Sequence, residues 1–235
     1  MTKQDFFALG IGHKTTNNNQ QTIDCFFPNP IFSASPEEVK ALSEYAPGTR
    51  EISPSEALKI KQTISTHLVP DALIEADKPL TMVYLCQDKL IDSVEEAYLK
   101  LHLLSHRLTL PNTLNLGQLF ENLPTVAWTN FGPIDAAEIN NRIIEHRVKN
   151  EHLEIYSVDK FPKMTNYVIP HGVRIADSSR IRLGAYLGDG TTVMHEGFIN
   201  FNAGAHGPNM VEGRICLLYT SPSPRDQRGS RMPAS

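Results

Sequence analysis

Apolar residues recur at every sixth position from Ile169 to Val211, and this period constrains the fold more than any other feature of the sequence. A period of six fits neither the 3.6-residue repeat of an amphipathic helix nor the two-residue alternation of a half-buried strand. It is typical of a hexapeptide-repeat β-helix, in which one residue of each six points into a narrow prism and successive coils stack. The apolar positions are Ile169, Ile175, Ile181, Leu187, Val193, Ile199, Ala205 and Val211.

Polar and acidic residues occupy outward positions in the last coils of the repeat. They lie in His195-Glu196-Gly197-Phe198, in Asn200-Phe201-Asn202 and in Met210-Val211-Glu212-Gly213-Arg214. In a three-sided prism, residues one hexad apart lie on adjacent faces, and residues three hexads apart lie directly above one another. The stacking of the coils therefore predicts that these groups share one patch.

Composition narrows the class of partner. The net charge is −4 with a pI near 6.1, and no basic tract is long enough to follow a phosphate backbone. No apolar run approaches the roughly 20 residues that cross a bilayer, and the first residues build no signal-peptide core. Cys25, Cys86 and Cys216 form no CxxC pair, so neither a zinc site nor a disulfide framework is indicated. We expect a cytoplasmic protein that binds small molecules, with neither nucleic acid nor a membrane as partner.

The chain before the repeat alternates strand and helix signals. Apolar runs predict strands at residues 6–12, 23–27 and 80–86, with a polar loop at 14–21. Ser-Pro pairs predict one helix from Ser35 to about Tyr45 and another from Ser53 towards His67.

A third helix is predicted over residues 94–108, which carry a core-facing apolar stripe. His102 and His106 lie four apart on this helix, a spacing that can bind a metal ion. A structural role is the favoured interpretation, since no acidic or cysteine ligand accompanies them.

Loop-rich sequence and a proline-containing linker give the predicted boundaries. Residues 1–110 are expected to form an α/β domain, residues 111–160 a middle segment with a helix, and residues 161–215 the coil. Residues 216–235 are expected to be a disordered tail that does not belong to the fold.

The stretch VRIADSSRIRLGAYLGDGTTVMHEGFINFNAG, followed by MVEGRI, closely resembles the tetrahydrodipicolinate N-succinyltransferase family of the diaminopimelate and lysine pathway, in its actinobacterial and pseudomonad form. The resemblance is dense from Ile169 to Ile215. It implies an α+β amino-terminal region followed by a left-handed parallel β-helix. It also implies transfer of a succinyl group from succinyl-CoA to the amine of a dicarboxylic substrate by a homotrimer, with active sites between neighbouring prisms.

The resemblance also implies roles for individual residues. Glu212 of MVEGR matches the glutamate proposed to take up the succinyl group as an acyl-anhydride, and a general-base role is the alternative. Arg214 matches an arginine that contacts succinyl-CoA. Glu196 matches a magnesium ligand on the trimer axis. A position that is an acidic ligand in some members is Ser179 here, while His195 is either a base or, as we favour, a structural or interface residue.

The family pattern stops after Ile215. The run CLLYTSPSPRD resembles a translated sequencing-library adapter, and SRMP fits its continuation, so residues 216–235 are expected to be foreign to the enzyme. We therefore expect a chain truncated at its carboxyl end that lacks further coils with CoA contacts. As it stands it should be inactive or prone to aggregate, because its last coil would expose an unpaired edge.

Three alternatives remain open on the sequence alone. Another hexapeptide-repeat CoA-dependent acyltransferase would use a catalytic histidine at a coil corner, with His171, His195 or His206 as the candidate. A γ-type carbonic anhydrase would hold a metal between prisms, but the histidine spacing does not fit. The third alternative is a scaffold without enzymatic activity.

Overall fold

A computed structural model of the protein describes residues 7–33, 40, 42–216 and 220–221. The chain divides into two compact units, one formed by Met1–Leu99 with Leu116–Pro162 and the other by Lys100–Asn115 with Lys163–Ser235. The chain therefore crosses from one unit to the other after residues 99, 115 and 162, whereas the sequence predicted domain boundaries after residues 110 and 160. No helix in the described part of the chain is both long and apolar enough to cross a membrane.

The first unit contains a five-stranded antiparallel sheet. Its strand order is β2-β1-β5-β4, and β3 pairs with the other end of β1. The predicted strands at 6–12, 23–27 and 80–86 are confirmed, although β1 continues into the predicted loop because Thr15 pairs with Asp24. The strands are β1 (Ala8–Thr16), β2 (Thr22–Phe26), β3 (Ile31–Phe32), β4 (Gly48–Ile52) and β5 (Leu80–Leu85).

Helices and a second, smaller sheet complete this unit. The helix predicted at Ser53-Pro54 is confirmed: the Ser53 side chain accepts the Glu56 N–H, and the Glu56 carboxylate accepts the Ser53 N–H. The helix predicted from Ser35 begins outside the described residues. The helices are α1 (Pro54–Thr63), α2 (Asp71–Glu75), α3 (Val94–Ser105, which continues into the second unit), α4 (Leu119–Asn122) and α5 (Ile139–Val148). The small antiparallel sheet has the order β7-β6-β8 and contains β6 (Val126–Thr129), β7 (Gly132–Asp135) and β8 (Ile155–Asp159).

The second unit is a β-helix, in which successive coils place short parallel strands on three faces. Thr192 pairs with Arg174 on the preceding coil and with Met210 on the following one, so three hexads complete one coil. One face contains β9, β11 and β14, the second β10, β13 and β16, and the third β12 and β15 with a bridge to Ile181. The strands are β9 (Arg174–Ile175), β10 (Tyr186–Leu187), β11 (Thr192–Val193), β12 (Phe198–Ile199), β13 (Gly204–Ala205), β14 (Met210–Val211), β15 (Arg214–Ile215) and β16 (Thr220–Ser221).

The apolar positions of the hexad fill the interior of this coil, as predicted. Six of the eight are completely buried, namely Ile181, Leu187, Val193, Ile199, Ala205 and Val211. The prediction is wrong for Ile169, which is 67% exposed, because it precedes β9 and has no coil around it.

One corner of the coil is shorter than the others. Ile199 pairs with Ile215, which comes earlier in the chain than three full hexads would place its partner. The chain passes from Val211 to Ile215 through a tight corner at Glu212 and Gly213. The hexad counted onward from Ile215 leads to Ser221, which pairs with Ala205 on the coil below. The expectation that residues 216–235 do not belong to the fold is therefore wrong for residues 220–221, which pair with the coil below. The foreign origin of residues 216–235 stays a prediction.

The segment 100–115 packs against the coil. The Ser105 hydroxyl accepts the Gly184 N–H at 2.8 Å and donates to the Ala185 carbonyl at 3.1 Å. Arg107 donates to the carbonyls of Leu187 and His171. Buried backbone groups at coil corners need such partners, so this segment satisfies corners that the repeat leaves open.

His102 and His106 lie beside each other in this segment, with ring centroids 5.6 Å apart. His102 is fully buried against Tyr167, and the described residues contain no group of three or more His, Cys, Asp or Glu side chains that could hold a metal ion. Burial lowers the pKa of His106 to about 4. The structural role of the pair stays a prediction, which the packing of buried His102 against Tyr167 supports.

Acid should therefore destabilise the fold through His106. The folded-state pKa lies below the unfolded value of 6.5, so the stabilisation is complete above pH 6.5 and is lost as the pH falls towards 4. We expect a loss of up to about 3 kcal/mol across this interval. Urea unfolding at several pH values should show a smaller loss in His106→Gln, which cannot take up a proton. The control is His195→Gln, whose side chain lies at an exposed corner. If the free energy of unfolding of His106→Gln depends on pH as steeply as that of this control, the assignment to His106 is wrong.

Candidate functional site

Three consecutive coils place their polar turns at the same corner, which we call the acidic corner (residues 176–180, 194–197 and 212–213). Before each turn, the Ala176 N–H donates to the Val193 carbonyl and the Met194 N–H to the Val211 carbonyl. After the turn, the Phe198 N–H donates to the Gly213 carbonyl. Glu196 and Glu212 therefore occupy the same corner on adjacent coils.

Glu196 forms an ion pair within the acidic corner. Its Oε2 atom lies 2.7 Å from a guanidinium nitrogen of Arg180, and the Arg180 Nε donates to the His195 carbonyl at 3.3 Å. Asp177 is held on the same coil by the N–H and hydroxyl of Ser179, and these bonds, with the charges of Arg180 and His195, lower the pKa of its carboxyl group. The corner thus alternates acidic and basic groups.

Glu212 lies above this pair and is exposed. Among the residues that the structure describes, no hydrogen bond or ion pair to its carboxylate is present. The backbone beneath it is tightly packed, because a Cβ atom on Gly197 would lie 2.4 Å from the Val211 carbonyl oxygen. A rigid corner therefore presents a carboxylate that is available to a ligand.

Arg214 follows Glu212 closely in the chain and lies on the face next to the acidic corner. Its guanidinium carbon is 4.7 Å from the centre of the Phe198 ring, and that of Arg182 is 5.8 Å from the same ring. Arg182 also donates to the Asn200 amide oxygen at 3.0 Å. We call Arg182, Phe198 and Arg214 the arginine face.

The three candidate histidines occupy different corners. His195 is exposed in the acidic corner, whereas His171 lies 3.6 Å from the Asp189 carboxylate and His206 lies beside Tyr186. The structure thus brings Glu196, Glu212 and His195 to one corner with Arg214 beside it, and it separates His171 and His206 from them. Sequence reasoning missed Arg180 and Arg182 as members of the site, and it placed Phe198 in the patch without giving it a role.

The residues of a single chain do not fit a magnesium site at Glu196. Its carboxylate is paired with Arg180, position 179 is a serine, and the part of the chain that the structure describes has no cluster of three metal-ligating side chains. A hard cation needs several oxygen ligands.

The stacked parallel rungs and their polar corners define a hexapeptide-repeat protein with an added sheet-and-helix unit. Residues 123–163 match the family model described as the middle part of tetrahydrodipicolinate N-succinyltransferase. The chain is 47% identical, over 90% of its length, to the 2,3,4,5-tetrahydropyridine-2,6-dicarboxylate N-succinyltransferase of Pseudomonas aeruginosa. The identity to the enzymes of the same name is 46% for Vibrio cholerae and 41% for Salinispora tropica, over 89% and 88% of the chain.

A solved structure extends this likeness to the fold. A crystal structure from Campylobacter jejuni, described as a 2,3,4,5-tetrahydropyridine-2-carboxylate N-succinyltransferase, matches 89% of the chain with a TM-score of 0.74 and 28% identity. The chain is thus similar in sequence and in fold to the tetrahydrodipicolinate N-succinyltransferases, and the resemblance found in the sequence is confirmed. The chain spans 64% of the Pseudomonas and Vibrio relatives and 62% of the Campylobacter chain.

Proposed function

We propose that this chain supplies the acyl-transfer residues of an N-succinyltransferase that moves a succinyl group from succinyl-CoA to the amine of tetrahydrodipicolinate. One observation carries the proposal: an exposed carboxylate, Glu212, and an exposed guanidinium, Arg214, project from one tight turn of the coil. A thioester with an anionic acyl group needs both a group that drives acyl transfer and a cation that binds the anion. The identity to enzymes of this name supports the same assignment.

Two mechanisms of acyl transfer are compatible with the exposed carboxylate of Glu212. As a nucleophile, its carboxylate attacks the thioester carbonyl, the C–S bond breaks, and CoA leaves as a thiolate that takes up a proton. Tetrahydrodipicolinate is a cyclic imine, so a water molecule adds to its C=N bond and the ring opens to give a free amine. This amine then attacks the succinyl carbonyl of the anhydride, expels the Glu212 carboxylate and loses a proton to solvent. As a general base, Glu212 instead removes the amine proton while the amine attacks the thioester directly, and the C–S bond breaks to release CoA as a thiolate that takes up a proton. In both mechanisms Arg214 holds the succinyl carboxylate.

The assembly is part of the proposal. We infer a left-handed coil and a homotrimer in which a second prism closes the open side of the acidic corner, as the sequence resemblance implies. A magnesium ion at Glu196 would need further oxygen ligands from other copies, because one chain offers Glu196 already paired with Arg180. A cytoplasmic location also belongs to this proposal.

A chimaera provides the direct test. Residues 1–215 of this chain would be followed by the residues that come after the aligned region in the Pseudomonas aeruginosa relative. We expect CoA release that depends on both succinyl-CoA and tetrahydrodipicolinate, and slower release with acetyl-CoA, which lacks the carboxylate. A folded chimaera that releases no CoA above the background would contradict the proposal, and equal rates with both esters would favour another CoA-dependent acyltransferase.

A further inference from the structure

The first unit contains a cavity of about 580 Å³ where β4 begins, β5 ends and α3 begins. The described residues that line it all belong to this unit. Gly48, the first residue of β4, has open space beside it, because a Cβ atom added there would meet no other atom within 4 Å. Pro47 and Leu85 give the cavity an apolar wall. Its volume lies in the range of small-molecule sites, about 300–1,000 Å³.

Opposite charges meet on the wall that leads into α3. Glu96 lines the cavity although its exposed fraction is only 1%. Its side chain is hydrogen-bonded to that of Asp92, and two carboxyl groups form such a bond only when one of them holds a proton. The ammonium group of Lys89 lies 2.6 Å from the Asp92 carboxylate. With one shared proton, this wall therefore carries one positive and one negative charge.

We infer that this cavity binds a free α-amino acid, whose ammonium group lies between Asp92 and Glu96 and whose carboxylate lies on Lys89. Such a ligand carries one charge of each sign, as the wall does. An amine alone would add positive charge beside Lys89 without an anion to balance it. A carboxylate alone would add negative charge beside two carboxyl groups.

The ligand would replace a weak contact by stronger ones. The side chains of Lys89 and Asp92 are 54% and 63% exposed, and such an ion pair contributes no more than about 1 kcal/mol. Their separation therefore costs little. Glu96 is buried, so a charged hydrogen bond from the ligand's ammonium group to its carboxyl group is stronger than one in water. The side chain of the amino acid then packs on Pro47 and Leu85.

Three probes of similar length test the charges of the ligand. Titration calorimetry on the complete 235-residue chain would use L-norleucine, n-pentylamine and hexanoate. Pentylamine is norleucine without its carboxylate, and hexanoate is norleucine without its ammonium group. We expect norleucine to bind at least about tenfold more tightly than either of the others. Equal affinity for hexanoate, or no binding of norleucine, would overturn the inference.

Variants test the place of binding. Glu96→Gln keeps the shape of the side chain but loses the carboxylate, and it should bind norleucine about 10- to 100-fold more weakly. The control is Glu95→Gln in the same helical turn. Glu95 accepts the Thr22 hydroxyl at 2.6 Å, and the amide oxygen of glutamine can still accept this bond, so the control should bind norleucine as the unchanged chain does. Equal losses in both variants would overturn the site.

Lys89→Met provides a variant whose folding is not in question, because this side chain is exposed. It should weaken the binding of norleucine but not that of pentylamine, which has no carboxylate to lose a partner. If norleucine binds to Lys89→Met as it does to the unchanged chain, the carboxylate does not lie on Lys89 and the inference is overturned. None of these measurements involves succinyl transfer, so the amino-acid site stands or falls separately from the proposed function.

Discussion

Replacement of Glu212 by glutamine in the chimaera should reduce CoA release by about 10²- to 10⁴-fold for a lost general base, and by more for a lost nucleophile. The amide has the shape of the carboxylate but neither attacks a thioester nor accepts a proton at neutral pH. Because the Glu212 side chain is exposed, the free energy of unfolding should change by less than about 0.5 kcal/mol. A steady-state assay of the chimaera with and without Glu212→Gln would measure the effect on CoA release. Urea unfolding of the same two proteins would measure the effect on the free energy of unfolding.

Glu196→Gln is the matched control for this prediction. Glu196 lies at the same corner one coil earlier and is also exposed, but its carboxylate is paired with Arg180. We expect this variant to lose the ion pair, which is worth no more than about 1 kcal/mol at a surface, and to keep CoA release within about tenfold of the unchanged chimaera. Equal losses in both variants would show that Glu212 has no special role.

A burst experiment distinguishes the two mechanisms. Mixing the chimaera with succinyl-CoA alone should release one CoA per active site if Glu212 is the nucleophile, because the anhydride forms before the amine arrives. Mass spectrometry would then find one added succinyl group, which disappears in Glu212→Gln. If Glu212 is a general base, no CoA is released until the amine substrate is added.

Much of the coil could be predicted from its interior. Side chains such as Val193 and Ile199 fill a narrow space, so the sequence repeats with the geometry of the coil. Local irregularities of the repeat cannot be predicted in this way. Ile169 continues the period but precedes the first rung, and the shortened corner at Glu212 shifts the register of the strands that follow it. Neither irregularity is visible in the sequence, because the residues concerned are apolar like the other hexad positions. The exposure of Ile169 and the pairing of Ile199 with Ile215 show them only in the structure.

The candidate site was predictable only in part, because its contacts join distant residues. Glu212 and Arg214 belong to one short block and could be matched to a family by their spacing. Arg180 and Arg182 lie one coil before their partners Glu196 and Phe198, and nothing in their local sequence distinguishes them from other surface arginines. The packing of residues 100–115 on the coil was missed for the same reason, since Ser105 meets Gly184 across 79 positions.

The close stacking of rungs predicts the second large effect, at Gly204. Its backbone has no left-handed φ, so alanine is compatible with the local conformation, but a Cβ atom there would lie 2.1 Å from the Tyr186 carbonyl oxygen and 2.7 Å from the Tyr186 Cβ. Because both atoms belong to a neighbouring rung, the coil would have to open, at a cost of about 3 kcal/mol or more.

Hydrogen exchange would locate this damage in Gly204→Ala. The Tyr186 and Gly188 amides donate to the carbonyls of Ala203 and Ala205, and they should lose protection when the rungs separate. Gly132→Ala is the control, because its Cβ would meet open space and only its φ of +96° opposes the change, at about 1–2 kcal/mol. The sole tryptophan, Trp128, reports on the first unit, where its fluorescence should stay unchanged in Gly204→Ala. Undiminished protection at Tyr186 and Gly188 would mean that the rungs tolerate a methyl group, and that stacking is looser than these distances require.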